Sequence, residues 1–315
     1  MKNFVVIGGG TGSYTVLRGL KECPVNITAI VSMFDNGGST GVLRDEHGVL
    51  PPGDIRRALI ALSSETECMK LLFMHRFSQG KTLSGHNLGN LILVGLRDIF
   101  GSDDEAIKQA AKILKIKGNV LPVSVTNSHL HAALENGTVI KGETNIDIPK
   151  HNGALKIKQV YLSPPAEIYE DTKQALHEAD IIVIGPGDLY TSIIPNLLVN
   201  GMREALSASH AKKIYICNLM TKYGETHNFS ASDHVKEIIS YLGCVPEYVI
   251  CNNQPFPELL LAKYAEEKAY PVIIDTESLA ALGVKIREAP LIGETLARHN
   301  SIKLANLLYT LGVEA

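Results

Sequence analysis

Two textures of apolar positions alternate along this chain. Residues 3–7 (NFVVI) and 26–33 (NITAIVSM) are short, β-branched apolar runs, the first followed at once by glycines and the second by a glycine-rich loop. Between them the spacing is helical as far as Glu22. Strand, loop, helix and strand in so short a span make the βαβ unit of a parallel sheet. From Pro51 to about Ile116 the pattern is mainly helical, with helices expected at 88–100 and 104–115 and Asp103 as the cap of the second. After Pro164-Pro165 the alternation resumes. It predicts strands at 180–184, 213–218, 247–252, 272–275 and 284–287, and helices at 197–206, 231–242, 257–268 and 301–311.

Residues 120–162 read differently. Short alternating runs (VLPVSV, SHLHAAL, TVIKGE, KIKQVYL) surround Asn136-Gly137, a pair that favours a type I′ hairpin. The pattern as a whole predicts an α/β, Rossmann-like three-layer fold. Its central sheet is expected to be mostly parallel, with a small antiparallel insertion at about 120–162, all within one domain spanning 1–315.

Composition narrows the function classes. Lys+Arg number 30 and Asp+Glu 33, a formal charge of -3, which argues against a generally basic nucleic-acid binder. Trp is absent and aromatics are 6%, which disfavours a stacking platform for single strands. A hydrophobic content of 45% over 315 residues excludes disorder and supports a large core. No apolar run approaches the roughly 18–20 residues that cross a bilayer. Glycines interrupt the first apolar run, so a signal peptide is not expected. The five cysteines form no Cys-x-x-Cys pair, which fits reduced thiols and a cytoplasmic location.

Three glycine loops follow predicted strands. The first is Gly8-Gly9-Gly10-Thr11-Gly12-Ser13, where glycines allow close approach of a ligand and the next helix offers free N–H groups to a phosphate. A tight strand-to-helix turn is the plainer reading. The second is Asp35-Asn36-Gly37-Gly38-Ser39-Thr40-Gly41. Asp35 sits where a dinucleotide fold keeps its ribose-binding acid, although an Asx-turn would use the same residue. The third is Gly185-Pro186-Gly187-Asp188-Leu189-Tyr190-Thr191-Ser192. In a parallel sheet such loops lie at the carboxyl ends of strands, so the three are expected to converge on one crevice.

Two polar clusters support them. Pro51-Pro52-Gly53-Asp54 opens a helix, with Asp54 as a cap or as a carboxylate facing the ligand. Arg56 and Arg57 are expected to be solvated or to face phosphate. Ser84-Gly85-His86-Asn87-Leu88-Gly89-Asn90 places His86, Asn87 and Asn90 at another helix start, as caps or as a site whose titratable group is His86. Asp54 and His86 are the candidate catalytic bases. Gly80-Lys81-Thr82 lacks the upstream glycine and strand of a P-loop. There is no zinc signature and no Asp-x-Asp. Gly37-Gly38-Ser39-Thr40-Gly41 matches a nucleophile elbow only formally.

The ordered set GGGTG, DNGGSTG, PPGD, GHNLGN, IGPGDLYTS and CNLMT resembles one family over essentially the whole chain. It is the CofD-like family, which joins bacterial gluconeogenesis factors with the 2-phospho-L-lactate transferases of deazaflavin-cofactor synthesis. Residues 35–41 and 84–90 resemble the gluconeogenesis-factor branch. That resemblance implies binding of a UDP-sugar such as UDP-N-acetylglucosamine, and a role in carbon metabolism, cell shape and envelope synthesis under gluconeogenic growth. It implies no settled reaction. It points to Asn218 of CNLMT, Tyr264 in LAKYAEE and Arg298 in LARHN as further ligand contacts, with a protein partner and homo-oligomerisation also expected. Many relatives carry two acids where this chain has Asp35-Asn36, which weakens a Mg²⁺ site with Asp35 as its candidate ligand. The competing reading is a Mg²⁺-dependent transferase acting on a nucleotide-diphosphate donor. A dehydrogenase binding NAD rests only on the first loop.

Overall fold

A computed structural model describes residues 1–293 and 296–313 of the chain. Its strands, in chain order, are β1 (Asn3–Gly8), β2 (Asn26–Val31), β3 (Asn119–Pro122), β4 (His129–Leu134), β5 (Val139–Lys141), β6 (Ile157–Ser163), β7 (Ile181–Ile184), β8 (Lys212–Ile216), β9 (Tyr248–Asn252) and β10 (Lys285–Ala289). Seven of them form one sheet in the order β10-β9-β8-β7-β1-β2-β3, and every pairing in it is parallel. The central strands are apolar on both faces. Phe4, Val5, Val6 and Ile7 of β1 and all four residues of β7 are buried, as expected of a parallel sheet covered on both sides. Burying each such side chain contributes roughly 1.5–3 kcal/mol.

The helices that frame the site are α1 (Gly10–Leu20), α2 (Gly38–His47), α3 (Pro52–Leu62), α4 (Glu67–Met74), α5 (Leu88–Phe100), α6 (Asp103–Ile113) and the short α7 (Glu143–Asp147). Helix α1 packs on α3 and on the last helix, Ser301–Val313. From β1 the chain first builds β2 and β3 on one side. It later returns to add β7 to β10 on the other. The carboxyl ends of β1 and β7 therefore flank the point where strand order reverses, the usual place for a ligand crevice.

The antiparallel part is a sheet of order β5-β4-β6. It begins later than the alternation suggested, because β3 joins the main sheet and pairs parallel with β2. The β4–β5 turn is not type I′. Gly137 has φ of 85°, but Asn136 is absent from the positive-φ residues, and the turn closes by Gly137 N–H donating to the Leu134 carbonyl. Ser102, not Asp103, caps α6; its hydroxyl accepts from the Glu105 N–H, while Asp103 accepts from the Leu50 N–H. The helix expected at 197–206 is split into Ile194–Leu197 and Met202–Ala208 by Gly201 at φ 87°, where Asn200 bonds across to Ala166 and Ile168. Residues 272–275 join no sheet; Val272 and Ile273 bond instead to Leu219 and Ala231, and β10 takes the place beside β9.

Candidate functional site

The three glycine loops cap β1, β2 and β7, and they border one cavity of about 690 Å³. Gly9, Gly10, Thr11 and Gly12 line it from the first loop, Asp35, Gly37, Gly38 and Ser39 from the second, Gly187 and Asp188 from the third. Gly12 is where two loops meet. A Cβ there would sit 2.0 Å from the Pro186 carbonyl oxygen, so only glycine lets α1 and the third loop close together. Gly38 is different. It has φ of 46°, and a Cβ on it would meet no protein atom within 4 Å.

Asp54, in the first turn of α3, lies under the first loop. Its carboxylate oxygen is 2.2 Å from where a Gly9 Cβ would be, and Arg57 Nη1 approaches it at 3.5 Å. Burial, then the negative charge of Asp35, push its carboxyl up to about 6, against the pull of Arg57 and of the Gly10 N–H. Asp35 closes an Asx-turn, its Oδ1 accepting from the Gly37 N–H at 2.8 Å, while Oδ2 faces the glycine at 53. Asp35 therefore forms the Asx-turn and also lines the cavity.

Several expected contacts lie elsewhere. Asn36 does not line the cavity; its Oδ1 accepts from the backbone N–H and hydroxyl of Thr144, fixing α7 against the second loop. His86 is also off the cavity, its Nδ1 3.3 Å from the Ser39 hydroxyl. Asn87 caps α5 and donates to the Met74 carbonyl, and its N–H donates to Ser39. The 84–90 cluster therefore holds Ser39, and through it the second loop. Asn90 alone of that group reaches the cavity. Tyr190 is 1% exposed in the core, and Gly8 and Gly185 sit behind their loops; none of the three lines the cavity. Arg56, expected to be solvated or to face phosphate, is not solvated: it is 7% exposed, donates to the Phe73 carbonyl and lines the cavity. Asn218, Tyr264 and Arg298 do line the cavity. Asn218 donates to the Gly187 carbonyl at 2.8 Å, which ties the end of β8 to the third loop.

Other lining residues had no counterpart in the sequence reading. Helix α7 brings Glu143 and Asp147. The segment after β8 brings Lys222, whose ammonium lies among Asp147, Asp188 and the buried Glu225, at 2.9 Å from Asp188 and 3.0 Å from Glu225. Burial alone would lower the Lys222 pKa, but these carboxylates outweigh it and raise it. Glu143 is raised well above the carboxylate range by burial and by Asp35, Asp147, Glu225 and Asp54 around it. The signal that pointed to Lys222 was available: ligands collect at the carboxyl ends of parallel strands, and β8 ends just before it.

Charges of both signs line the cavity: Asp35, Asp54, Glu143, Asp147 and Asp188 together with Arg56, Arg57, Arg76, Lys222 and Arg298, with Asp54 and Arg57 paired at 3.5 Å. Buried Ser32 Oγ, Asn90 Oδ1 and Asn218 Oδ1 have no protein partner and line the same space. Buried polar atoms are nearly always satisfied, so such orphans on one cavity point to a polar occupant. Buried His299, also lining it, is lowered to about 4 by desolvation and is neutral near pH 7. For a cation, among the described residues the three-acid group is Asp147, Asp188 and Glu225, and Lys222 already supplies positive charge there. Asp35 and Asp54 are the hard-oxygen donors left facing the glycine loops.

The fold and motifs have relatives. A family model described as 2-phospho-L-lactate transferase CofD matches residues 4–292. A gluconeogenesis factor of Halalkalibacterium halodurans is 46% identical over 316 aligned residues, covering 98% of this chain and 95% of the relative. One from Bacillus subtilis is 43% identical, covering 97% and 96%. The crystal structure of a Bacillus halodurans protein, described as a member of the UPF0052 family, superposes with a TM-score of 0.94 at 44% identity and covers 98% of each chain.

Proposed function

Because the chain belongs to the CofD family, and to its gluconeogenesis-factor branch, we propose that it binds a UDP-sugar, UDP-N-acetylglucosamine in the first instance, in the cavity of the three glycine loops. In this reading it is a cytoplasmic regulator of carbon metabolism and cell shape under gluconeogenic growth rather than a rapid catalyst. The observation that carries the reading is the convergence of Gly10, Gly38 and Gly187 with Tyr264 and Arg298 on one cavity. Its volume is within the range of sites that enclose small molecules and cofactors. Glycine-loop N–H groups suit the diphosphate; Asp35 and Asp188 suit ribose or sugar hydroxyls; Tyr264 suits the base or the sugar ring. A thermal-shift panel with UDP-N-acetylglucosamine, GDP, NAD and a deazaflavin tests it. A ligand at about 100 times its Kd stabilises by roughly 2.7 kcal/mol. A shift with the UDP-sugar alone is expected, and a shift with GDP or the deazaflavin instead would move the protein toward the transferases.

One observation favours that second reading. Asp54 has a carboxyl raised to about 6 directly beneath the first glycine loop, a suitable position and affinity for a general base. In a transfer, an acceptor hydroxyl would give its proton to Asp54, its oxygen would bond to phosphorus, and the nucleoside phosphate would leave. Asp35 would hold a Mg²⁺, which would supply charge stabilisation at the phosphoryl oxygens.

A further inference from the structure

A second cavity of about 510 Å³ opens beside the first. The two share a wall that includes Arg56, Arg57, Arg76 and Arg298, and Arg18 lines the second cavity alone. These five guanidiniums come from separate stretches: Arg18 from α1, Arg56 and Arg57 from α3, Arg76 from the segment after α4, and Arg298 from the approach to the last helix. None of the described residues lining the second cavity is an Asp or Glu. Only Arg57 has an ion-pair partner among the described residues, Asp54 at 3.5 Å.

Arg56 is the informative member. It is 7% exposed, its Nε is buried without a partner, and it lines both cavities. Desolvation and the like charges of Arg57 and Arg76 lower its pKa to about 10. A buried guanidinium among unpaired cations is unfavourable unless an anion joins them. The lining also includes Tyr14, Ile60, Met74 and Leu296, which offer apolar contact to the remainder of a small molecule.

We infer that the second cavity binds a small molecule carrying a phosphate monoester, alongside the ligand of the first cavity. A phosphate dianion accepts from several guanidinium forks at once, and the cavity has the size of a small-molecule site. The inference goes beyond UDP-sugar binding, and the protein would then be a two-ligand device in which a phosphorylated metabolite is read together with a nucleotide sugar.

Glycerol 3-phosphate is the probe, titrated calorimetrically into ligand-free protein and into protein saturated with UDP-N-acetylglucosamine, with glycerol as the uncharged control. Binding in both titrations and none with glycerol are expected. Arg18→Gln, on an exposed position of α1, is expected to weaken the probe by about tenfold or more, as loss of a charge-assisted fork would. It is expected to leave UDP-N-acetylglucosamine affinity and the melting temperature unchanged. No binding at millimolar probe, or unaltered probe affinity in Arg18→Gln, overturns the inference. So does competition between the two ligands, which would mean that one molecule spans both cavities. The titration into ligand-free protein decides the second site even if the UDP-sugar does not bind.

Discussion

At Asp54, burial and the charge of Asp35 raise the carboxyl to about 6 from an ordinary 3.8. A raised carboxyl favours the folded state in its protonated form. That contribution is fully present below the unfolded value near 3.8 and is lost as pH rises through about 6. A shift of roughly two units corresponds to about 3 kcal/mol. Asp54→Asn keeps the shape and removes the charge. It is expected to raise the melting temperature at about pH 8 and to change it little near pH 4. Melting curves over that range check this, and an offset equal at both ends would show that the charge of Asp54 is not what matters. Asp35 allows a second test. An amide can replace its Oδ1 in the Asx-turn but cannot keep its charge toward a sugar hydroxyl. Asp35→Asn should therefore keep the melting temperature and weaken UDP-sugar binding by roughly 10–100-fold. Unchanged affinity would leave Asp35 only its turn. The neighbouring Asn36 could not be placed from sequence, because its partner Thr144 is 108 residues away and belongs to another sheet's connection.

Helix starts and loops act here as units. Loop one and loop three touch where Gly12 meets Pro186, backbone against backbone, so neither side can yield cheaply. Gly12→Ala is expected to destabilise by roughly 1–3 kcal/mol or more, seen as a lower denaturation midpoint. An unchanged midpoint would mean the two loops are not in contact. The glycine loops themselves were legible, since a β-branched run ending in glycines marks a strand-to-ligand turn. The acids of α7 were not. A five-residue helix within an antiparallel segment carries no periodicity, and the Asn36–Thr144 contact that holds α7 against the second loop joins residues remote in the chain. His86 and Asn87 were visible as a polar helix start, but nothing in their spacing told a ligand group from a brace for Ser39.

For the molecule as a whole, alternation of apolar runs and helical stretches conveyed the parallel α/β sheet and the smaller antiparallel one. It did not convey strand order. That β7, rather than a sequence neighbour, flanks β1 depends on contacts between residues such as Phe4 and Ile181, remote in the chain. Yet that order places loops one and three side by side and creates the cavity. The central claim is that the three loops form one UDP-sugar site, and Gly38 isolates it. A Cβ there meets no protein atom within 4 Å, Gly38 lines the cavity, and a valine costs about 1–2 kcal/mol of left-handed strain. Titration calorimetry of UDP-N-acetylglucosamine into the parent protein and Gly38→Val, with melting curves of both, is the most direct measurement. Saturable binding to the parent and none to a Gly38→Val variant that still melts cooperatively is the predicted result. No binding to the parent at millimolar ligand, or equal affinity in the two, would contradict the account.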